Sequence, residues 1–243
     1  MIPQMRLTDA AVRFGGTLLN PDCHFEAVSI DSRNIKDGDL FVAVVGERFD
    51  GHQFLADAAT RASGLVVSAA DKTLPLPQWV VEDTTMALGQ LAQMRAEAYS
   101  GTLIAITGST GKTSVKELTA AILRHCGEVH ATAGNLNNHI GVPLTVLSMG
   151  ADTEFAVIEM GASAVGEIGY LCSVAAPDIA LINNVQSSHI EGFGSVEAVA
   201  AAKGEIYTGL KPAGIAVLNL DQPWCDGWRD LIDGKPCLTF SLS

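Results

Sequence analysis

Residues 103–113 read LIAITGSTGKT, and they are the most informative part of the sequence. A short apolar run suited to a buried strand breaks there into a loop with two glycines. The helix that follows has Val115, Leu118 and Ile122 at helical spacing, so its amino-terminal end faces the loop. Backbone N–H groups and the helix dipole then converge on one point, which favours binding of a polyphosphate. The sequence therefore predicts a nucleotide-binding α/β domain.

The last residues of the loop have separate predicted roles. Lys112 is expected to reach the terminal phosphates, and the Thr113 hydroxyl is expected to ligate Mg²⁺. The general pattern G-x-x-x-x-G-K-[ST] requires a glycine where this chain has Ile106. A Gly-Lys-Thr that occurs by chance is therefore the alternative, but the strand before the loop and the helix after it favour the nucleotide site.

The composition indicates a globular protein that does not bind nucleic acid. Of 243 residues, 48% are hydrophobic, and 15 basic against 27 acidic residues give a net charge of −12. Such a field repels nucleic acid and anionic membranes, so phosphate must be bound by a local site. No apolar stretch approaches the ~20 residues of a membrane span, and no leader pattern is present, so we expect a cytoplasmic protein without membrane insertion. The five scattered cysteines are expected to be reduced.

The pattern of elements predicts two domains, 1–83 and 84–243. Residues 1–83 alternate short strands and helices, with one strand predicted at Phe25–Ile30. A helix from Thr84 then leads directly into the strand of the phosphate loop. Residues 84–243 continue to alternate strands and helices, which predicts a mainly parallel sheet. The fold class is therefore α/β, with a small amino-terminal domain before a P-loop mononucleotide-binding domain. Because the alternation is still running at residue 243, we expect the second domain to be incomplete.

Polar residues follow several predicted strands, at the edge of a parallel sheet where ligands bind. Glu159 ends an apolar run, where it either holds Mg²⁺ or is a solvated acid. His189 comes shortly after the predicted strand Ile179–Ile182 and is either structural or a metal or phosphate contact. The loop at 132–143 holds three asparagines, which indicates either a turn cluster or a substrate-facing loop.

Lys203 occupies an unusual position in its predicted helix. Ser195 is expected to cap this helix, and Lys203 lies in the middle of its apolar stripe. The other members of the stripe are Val196, Val199, Ile206 and Leu210. The lysine can pair with a carboxylate, extend its stem outward to solvent, or lose its charge through burial. A neutral amine could take up CO₂ to become a carbamate, which is anionic and can ligate a metal.

Several phrases of the sequence together resemble the Mur ligase family. The phosphate loop of that family has the shorter form T-G-[ST]-x-G-K-[TS], which residues 107–113 match and which removes the difficulty at Ile106. The other matching phrases are Asp31-Ser32-Arg33, Gly46-Glu47-Arg48-Phe49-Asp50-Gly51-His52, Gly134-Asn135-Leu136-Asn137-Asn138, His189-Ile190-Glu191-Gly192-Phe193-Gly194 and Ala202-Lys203-Gly204-Glu205-Ile206. The resemblance spans almost the whole chain. Its arginine-phenylalanine-aspartate and asparagine phrases point to the member that adds D-alanyl-D-alanine.

The resemblance implies an ATP-dependent ligase of peptidoglycan precursor synthesis in the cytoplasm. ATP would phosphorylate the terminal carboxylate of UDP-MurNAc-tripeptide, and the amine of D-Ala-D-Ala would then displace the phosphate. Two Mg²⁺ ions are implied, one held by Thr113 and Glu159, the other by His189 and a carbamylated Lys203. The implied catalytic residues are Lys112, Glu159, His189 and Lys203.

The resemblance also assigns binding residues and domain roles. The implied ATP-binding residues are Thr107, Gly108, Ser109, Thr110, Gly111, Lys112, Thr113, Ser114 and Asn184. The implied substrate-binding residues are Asp31, Ser32, Arg33, Arg48, Asp50, Gly51, His52, Asn135, Asn137 and Asn138. Residues 1–83 would bind the UDP end of the substrate, and residues 84–243 would be the ATP-binding central domain. A third domain of the family is absent, so we expect a monomeric fragment that is inactive or nearly so.

Other functions remain open at this point. A sibling ligase that adds a different amino acid, or a folylpolyglutamate synthetase, shares the loop, the carboxylate and the lysine. The amino-terminal phrases that imply UDP binding argue against the folate enzyme. A non-enzymatic nucleotide-binding module would need the phosphate loop but no buried lysine at position 203.

Overall fold

The computed structural model describes residues 4–46, 49–187 and 193–242. The chain divides into two compact units, Met1–Ala98 and Tyr99–Ser243, and each has its own central sheet. Within the described ranges, no helix combines the length and the apolar character that crossing a bilayer requires.

The first unit contains a five-stranded sheet. The strands of the whole unit are β1 (Met5–Arg6), β2 (Thr17–Leu19), β3 (His24–Phe25), β4 (Val28–Ser29), β5 (Leu40–Val42), β6 (Val45–Gly46), β7 (Phe49–Asp50), β8 (Gly64–Val67) and β9 (Gln78–Val80). Its helices are α1 (Leu7–Phe14), α2 (Leu55–Ala58) and α3 (Thr84–Ala98), with a 3₁₀ turn at Gly51–Phe54 before α2. The sheet order is β2-β9-β8-β5-β4, parallel except where β2 joins β9. The antiparallel pairs β1–β3 and β6–β7 lie outside it.

Two predicted elements of the first unit need correction. The apolar run at 25–30 is not one strand, because Phe25 in β3 pairs with β1 whereas β4 pairs with β5. The helix α3 is grouped with the first unit, although the sequence prediction assigned it to the second domain. This grouping reflects packing, because α3 contacts α1 and β8 of the first unit.

The second unit contains a six-stranded sheet in which every described pairing is parallel. Its strands are β10 (Thr102–Thr107), β11 (Val129–Ala131), β12 (Phe155–Glu159), β13 (Ile179–Ile182), β14 (Ile215–Asn219) and β15 (Cys237–Phe240). The helices are α4 (Lys112–Leu123), α5 (Gly141–Leu147), α6 (Glu167–Ala175), α7 (Val196–Thr208) and α8 (Cys225–Ile232). The prediction of an α/β fold with a mainly parallel sheet is confirmed.

The strand order of this sheet, β11-β12-β10-β13-β14-β15, locates the site. The chain leaves β10, forms β11 and β12 on one side of it, and then continues with β13 on the other side. At such a switch point, the loops at the carboxyl ends of neighbouring strands separate and leave a crevice for ligands. The phosphate loop at 108–111 follows β10 and therefore lies at this crevice.

Helix α4 packs on the sheet with the face that carries Ala120. Leu118 and Ile122 are 65% and 66% exposed, whereas Lys116 and Ala120 are fully buried. The small side chain of Ala120 belongs to the core cluster with Ile104, Ile106 and Val157, which lets the helix backbone approach the strands closely. Leu118 and Ile122, whose spacing predicted the helix, therefore lie outside its buried face.

Candidate functional site

The phosphate loop has the geometry of an anion cradle. Gly111 adopts φ 73°, in the left-handed region that glycine favours, directly before α4 begins at Lys112. The Lys112 ammonium folds back over the loop and donates to the Gly108 carbonyl oxygen at 2.9 Å. Lysine and the amino-terminal end of α4 are thus on the same side of the loop, where an anion would be favoured.

The loop is tied to the end of β13 by asparagines. The Ser109 N–H donates to the Asn184 carbonyl at 2.9 Å, and the Thr110 N–H donates to Asn184 Oδ1 at 3.1 Å. Asn183 adds a bond from Nδ2 to the Thr110 carbonyl at 2.8 Å. The structure thus brings together the predicted residues Ser109, Thr110 and Asn184, and it adds Asn183, which was not predicted.

The remaining loop residues differ in exposure. Thr107 is fully buried and donates its hydroxyl to the Met160 carbonyl at 2.8 Å, so that hydroxyl is used inside the protein. Ser114 is exposed on the first turn of α4. We therefore expect Thr107 to act through the backbone rather than through its side chain.

Glu159 joins two other predicted residues at the end of β12. Its Oε2 accepts from the Thr113 hydroxyl at 2.8 Å, and its Oε1 accepts from Asn137 Nδ2 at 2.7 Å. The residue is only 2% exposed, which excludes the alternative of a solvated acid. A buried carboxylate beside a hydroxyl supplies the oxygen ligands that Mg²⁺ prefers, so these groups fit a magnesium ion.

A cavity of about 420 Å³ opens beside the phosphate loop. The predicted residues that line it are Gly108, Lys112, Asn135, Asn137, Asn138 and Lys203. The lining residues that were not predicted are His139, Gly161, Ala162, Ser163 and Glu167. The asparagine loop therefore faces the same cavity as the phosphate loop, which agrees with a ligand-facing role rather than a simple turn cluster.

Lys203 is buried in α7 and lines this cavity. The Ser195 side chain caps α7 as predicted, accepting from the Ala198 N–H at 3.1 Å, and Lys203 is 3% exposed. In the described part of the chain the ammonium has neither a hydrogen bond nor a carboxylate partner, and its low exposure argues against a stem that extends to solvent. Burial and then the charge of Lys112 lower the pKa of Lys203 to about 8. The structure therefore favours the alternative of a readily deprotonated amine.

Two predicted site residues, His189 and Arg48, lie outside the described residues. Within ranges 4–46, 49–187 and 193–242, no group of three or more His, Cys, Asp or Glu could hold a metal ion. Of the four predicted metal ligands, Thr113 and Glu159 are joined by a hydrogen bond, and Lys203 lines the cavity beside the phosphate loop.

In the first unit, the predicted substrate residues are bonded within their own loops. Asp31 and the exposed Arg33 form an ion pair at 2.7 Å, and the Arg33 side-chain hydrogen bond is the main cause that lowers the pKa of Asp31 to about 2. Ser32 lies between them. These residues follow β4, and the next predicted group follows β5, so both loops lie at the carboxyl ends of neighbouring parallel strands.

The Asp50-Gly51-His52 phrase fastens its loop to the sheet. His52 Nδ1 lies 2.7 Å from Asp50 Oδ1, and the Ser68 N–H donates to His52 Nε2 at 2.9 Å. A Cβ on Gly51 would lie 2.8 Å from the Ala43 Cα, so only glycine fits there without movement. Both nitrogens of the His52 ring are thus hydrogen-bonded, which indicates that this ring fixes the loop at 50–52 against the end of β8.

A phosphate loop at the switch point of a parallel sheet, with a buried acid and a buried amine beside it, defines a P-loop nucleotide-binding protein. Two family models then identify its kind. Residues 106–243 match the Mur ligase middle domain, and residues 24–95 match the Mur ligase family, catalytic domain. The chain belongs to the Mur ligase family.

Individual relatives are similar over most of this chain. The UDP-N-acetylmuramoyl-tripeptide--D-alanyl-D-alanine ligase of Escherichia coli (strain K12) is 44% identical over 236 residues, which are 97% of this chain and 52% of the relative. A crystal structure of MurF from Acinetobacter baumannii has a TM-score of 0.89 and 32% identity, covering 98% of this chain and 54% of that one. MurF from Thermotoga maritima in complex with ADP has a TM-score of 0.80 and 35% identity, covering 89% and 50%. The chain spans about half the length of these relatives.

Proposed function

We propose that this chain is the ATP-binding and substrate-binding part of an ATP-dependent UDP-N-acetylmuramoyl-tripeptide:D-alanyl-D-alanine ligase. The observation that carries the proposal is the buried amine of Lys203, which shares a cavity with Lys112 of the phosphate loop. A plain nucleotide switch has no need for such a lysine. The name of the similar E. coli enzyme and the ADP bound by the similar T. maritima enzyme support this choice of substrates.

The proposed reaction has two steps. A carboxylate oxygen of the tripeptide attacks the γ-phosphorus of ATP, the bond to the β-phosphate oxygen breaks, and ADP leaves. The amine nitrogen of D-Ala-D-Ala then attacks the acyl carbon, phosphate leaves with the electron pair of the broken C–O bond, and the amine gives up a proton. The first step brings two anions into contact, so cationic groups must offset their repulsion.

The residues at the crevice have roles that follow from their positions. The Lys112 ammonium would leave the Gly108 carbonyl and bind the terminal phosphates of ATP. Thr113 and Glu159, which are joined by a hydrogen bond, would hold one Mg²⁺. The resemblance to the family assigns a second Mg²⁺ to His189 and Lys203. Magnesium supplies positive charge that offsets the repulsion between carboxylate and phosphate. The neutral Lys203 amine can attack CO₂ and release a proton, and the resulting carbamate is the form that would ligate metal.

The binding of the rest of the substrate is assigned to two groups of residues. Asn135, Asn137 and Asn138 present amides to the cavity, where they would orient the peptide end. Asp31, Ser32, Arg33 and the loop at 48–52 in the first unit would receive the UDP end. We propose a cytoplasmic monomer for the protein, as expected from the sequence.

The test is ADP release from MgATP with a panel of UDP-MurNAc-peptides, each with and without D-Ala-D-Ala. Because the similar ligases are about twice as long, it is done on the 243-residue chain and on the full-length gene product. We expect the full-length product to release ADP with the tripeptide substrate only when D-Ala-D-Ala is present, and the 243-residue chain to turn over little. Stimulation by another amino acid would indicate a sibling ligase, and no stimulation by the dipeptide would overturn the proposal.

A further inference from the structure

Lys116 is a completely buried lysine that was not predicted to have a role. It lies one helical turn after Lys112 in α4, and its exposed fraction is 0%. Its Nζ donates to the Thr132 carbonyl oxygen at 2.6 Å and lies 2.8 Å from Glu117 Oε1. The Glu117 side chain is 59% exposed, so the bond that lies inside the protein is the one to Thr132. A buried ammonium carries a desolvation penalty, which calls for a reason beyond packing.

Thr132, the partner of Lys116, connects two strands near the magnesium ligand. It directly follows β11 and is 2% exposed. Its N–H donates to the Val157 carbonyl at 3.0 Å, and its hydroxyl oxygen accepts from the Glu159 N–H at 2.9 Å. Thr132 therefore fixes the backbone of Glu159 through its hydroxyl, while its own carbonyl is held by Lys116.

The asparagine loop that begins at Thr132 returns to the end of β12. The Gly161 N–H donates to the Asn137 carbonyl at 2.8 Å, while the Asn137 side-chain amide donates to Glu159 Oε1 at 2.7 Å. A Cβ on Gly161 would lie 2.9 Å from Asn137 Oδ1, so the loop packs closely against the strand end. The carboxylate of Glu159 is thus oriented from one side by Asn137, and its backbone is fixed from the other by Thr132.

We propose that Lys116 is a positioning residue that fixes Glu159 through Thr132, so that the carboxylate is in place before Mg²⁺ and the nucleotide bind. This inference rests on the proposed function, because the Mg²⁺ site at Thr113 and Glu159 is part of it. In the described part of the chain Lys116 forms no hydrogen bond with either of these two side chains; it acts through the Thr132 carbonyl. Residues that orient metal ligands in this way typically change metal affinity when they are replaced.

The experiment measures how much Mg²⁺ strengthens the binding of ADP to the 243-residue chain. Titrations with ADP are done in EDTA and in Mg²⁺ for wild type and Lys116→Met, which removes the ammonium and keeps an unbranched side chain. We expect the gain in affinity from Mg²⁺ to fall about 10-fold in the variant. ADP affinity in EDTA is expected to stay as in wild type, which a general loss of structure would not allow.

The matched control is Lys211→Met. Lys211 donates to Asp178 Oδ1 at 2.9 Å beside the beginning of β13, at the opposite edge of the sheet from the phosphate loop. The substitution makes the same change of charge, and the gain from Mg²⁺ should remain as in wild type. A Lys116→Met chain that keeps the wild-type gain would overturn the positioning role and leave the proposed function intact.

A second variant keeps the inference testable if Lys116→Met does not fold. Thr132→Val removes the hydroxyl that accepts from the Glu159 N–H and keeps the branched shape. We expect it to reduce the Mg²⁺ gain as well, and the double variant to lose less than the sum of the two single losses, because both act through Thr132. Additive losses, or an unchanged gain in Thr132→Val, would overturn the inference. A wild-type chain that binds no ADP with or without Mg²⁺ would overturn the proposed function, and the inference with it.

Discussion

At the scale of single residues, the burial of Lys203 has a cost that can be measured. Its pKa of about 8 lies below the ordinary 10.5, so between these values the unfolded chain binds a proton that the folded chain does not. Stability therefore rises with pH through this window, and the full penalty is present below pH 8. We expect Lys203→Met to raise the free energy of unfolding at pH 7 by about 3 kcal/mol, measured by urea denaturation.

The pH dependence separates this effect from a change in packing. The advantage of Lys203→Met should shrink as the pH rises above 8 and should be small near pH 10.5, where the amine is neutral in the folded chain and half deprotonated in the unfolded chain. Lys211→Met, which removes an ion-paired lysine, should show no such gain at pH 7. An advantage that is the same at all pH values would contradict the account of Lys203.

A site residue could be identified from the sequence when its residue type was unusual for its position. A lysine in an apolar stripe pointed to Lys203, and a carboxylate at a strand end pointed to Glu159. Lys116 gave no such signal, because a lysine on a helix is usually solvated. Its spacing of four from Lys112 was the available clue, since that spacing places both on one face of α4. The bonds between Thr110 and Asn184 join segments far apart in sequence, and only the folded chain shows them.

At the scale of elements, α7 and α8 pack through the glycine that follows Lys203. A Cβ on Gly204 would lie 2.8 Å from Leu231 Cδ1 and 3.1 Å from the Trp228 ring. We expect Gly204→Ala to reduce the free energy of unfolding by about 1–3 kcal/mol, since side chains on α8 must move. Thermal or urea unfolding measures this loss.

Gly227 in α8 is the matched control for that substitution. A Cβ there meets no atom within 4 Å, and the backbone is helical. Gly227→Ala should therefore stabilise the protein by about 0.5–1 kcal/mol. If both substitutions had the same effect, the close packing of α7 against α8 at Gly204 would be refuted.

The elements of the second unit were more predictable than those of the first. The buried runs that became β10, β12 and β13 are bounded by turn residues, and each serves a single sheet. In the first unit, β3 and β4 are two residues each and belong to different ladders, so their pairing cannot be read from one apolar run. For α4, periodicity predicted the helix but did not identify its buried face, because Ala120 rather than Leu118 meets the sheet.

At the scale of the whole molecule, the proposed function assigns the adenine nucleotide to the second unit and the UDP end of the substrate to the first. Hydrogen exchange measured by mass spectrometry can test this division on the intact 243-residue chain. We expect MgADP to protect residues 108–113 in the second unit, and UDP-MurNAc-tripeptide to protect residues 31–34 and 49–52 in the first. Each segment contains predicted contacts of that ligand. Protection of the first unit by MgADP alone would argue against these assignments.

The net charge of −12 makes the protein as a whole repel an anionic nucleotide, so a local cationic site must overcome this repulsion. The most direct measurement is calorimetric titration of the 243-residue chain with MgADP, comparing wild type, Lys112→Met and Lys72→Met. Lys72 is exposed in the first unit and provides the same change of charge. We expect wild type and Lys72→Met to bind alike and Lys112→Met to bind at least about 10-fold more weakly, as the loss of a charged hydrogen bond implies. Equal affinities in all three proteins, or no binding by wild type, would contradict a nucleotide site at the phosphate loop.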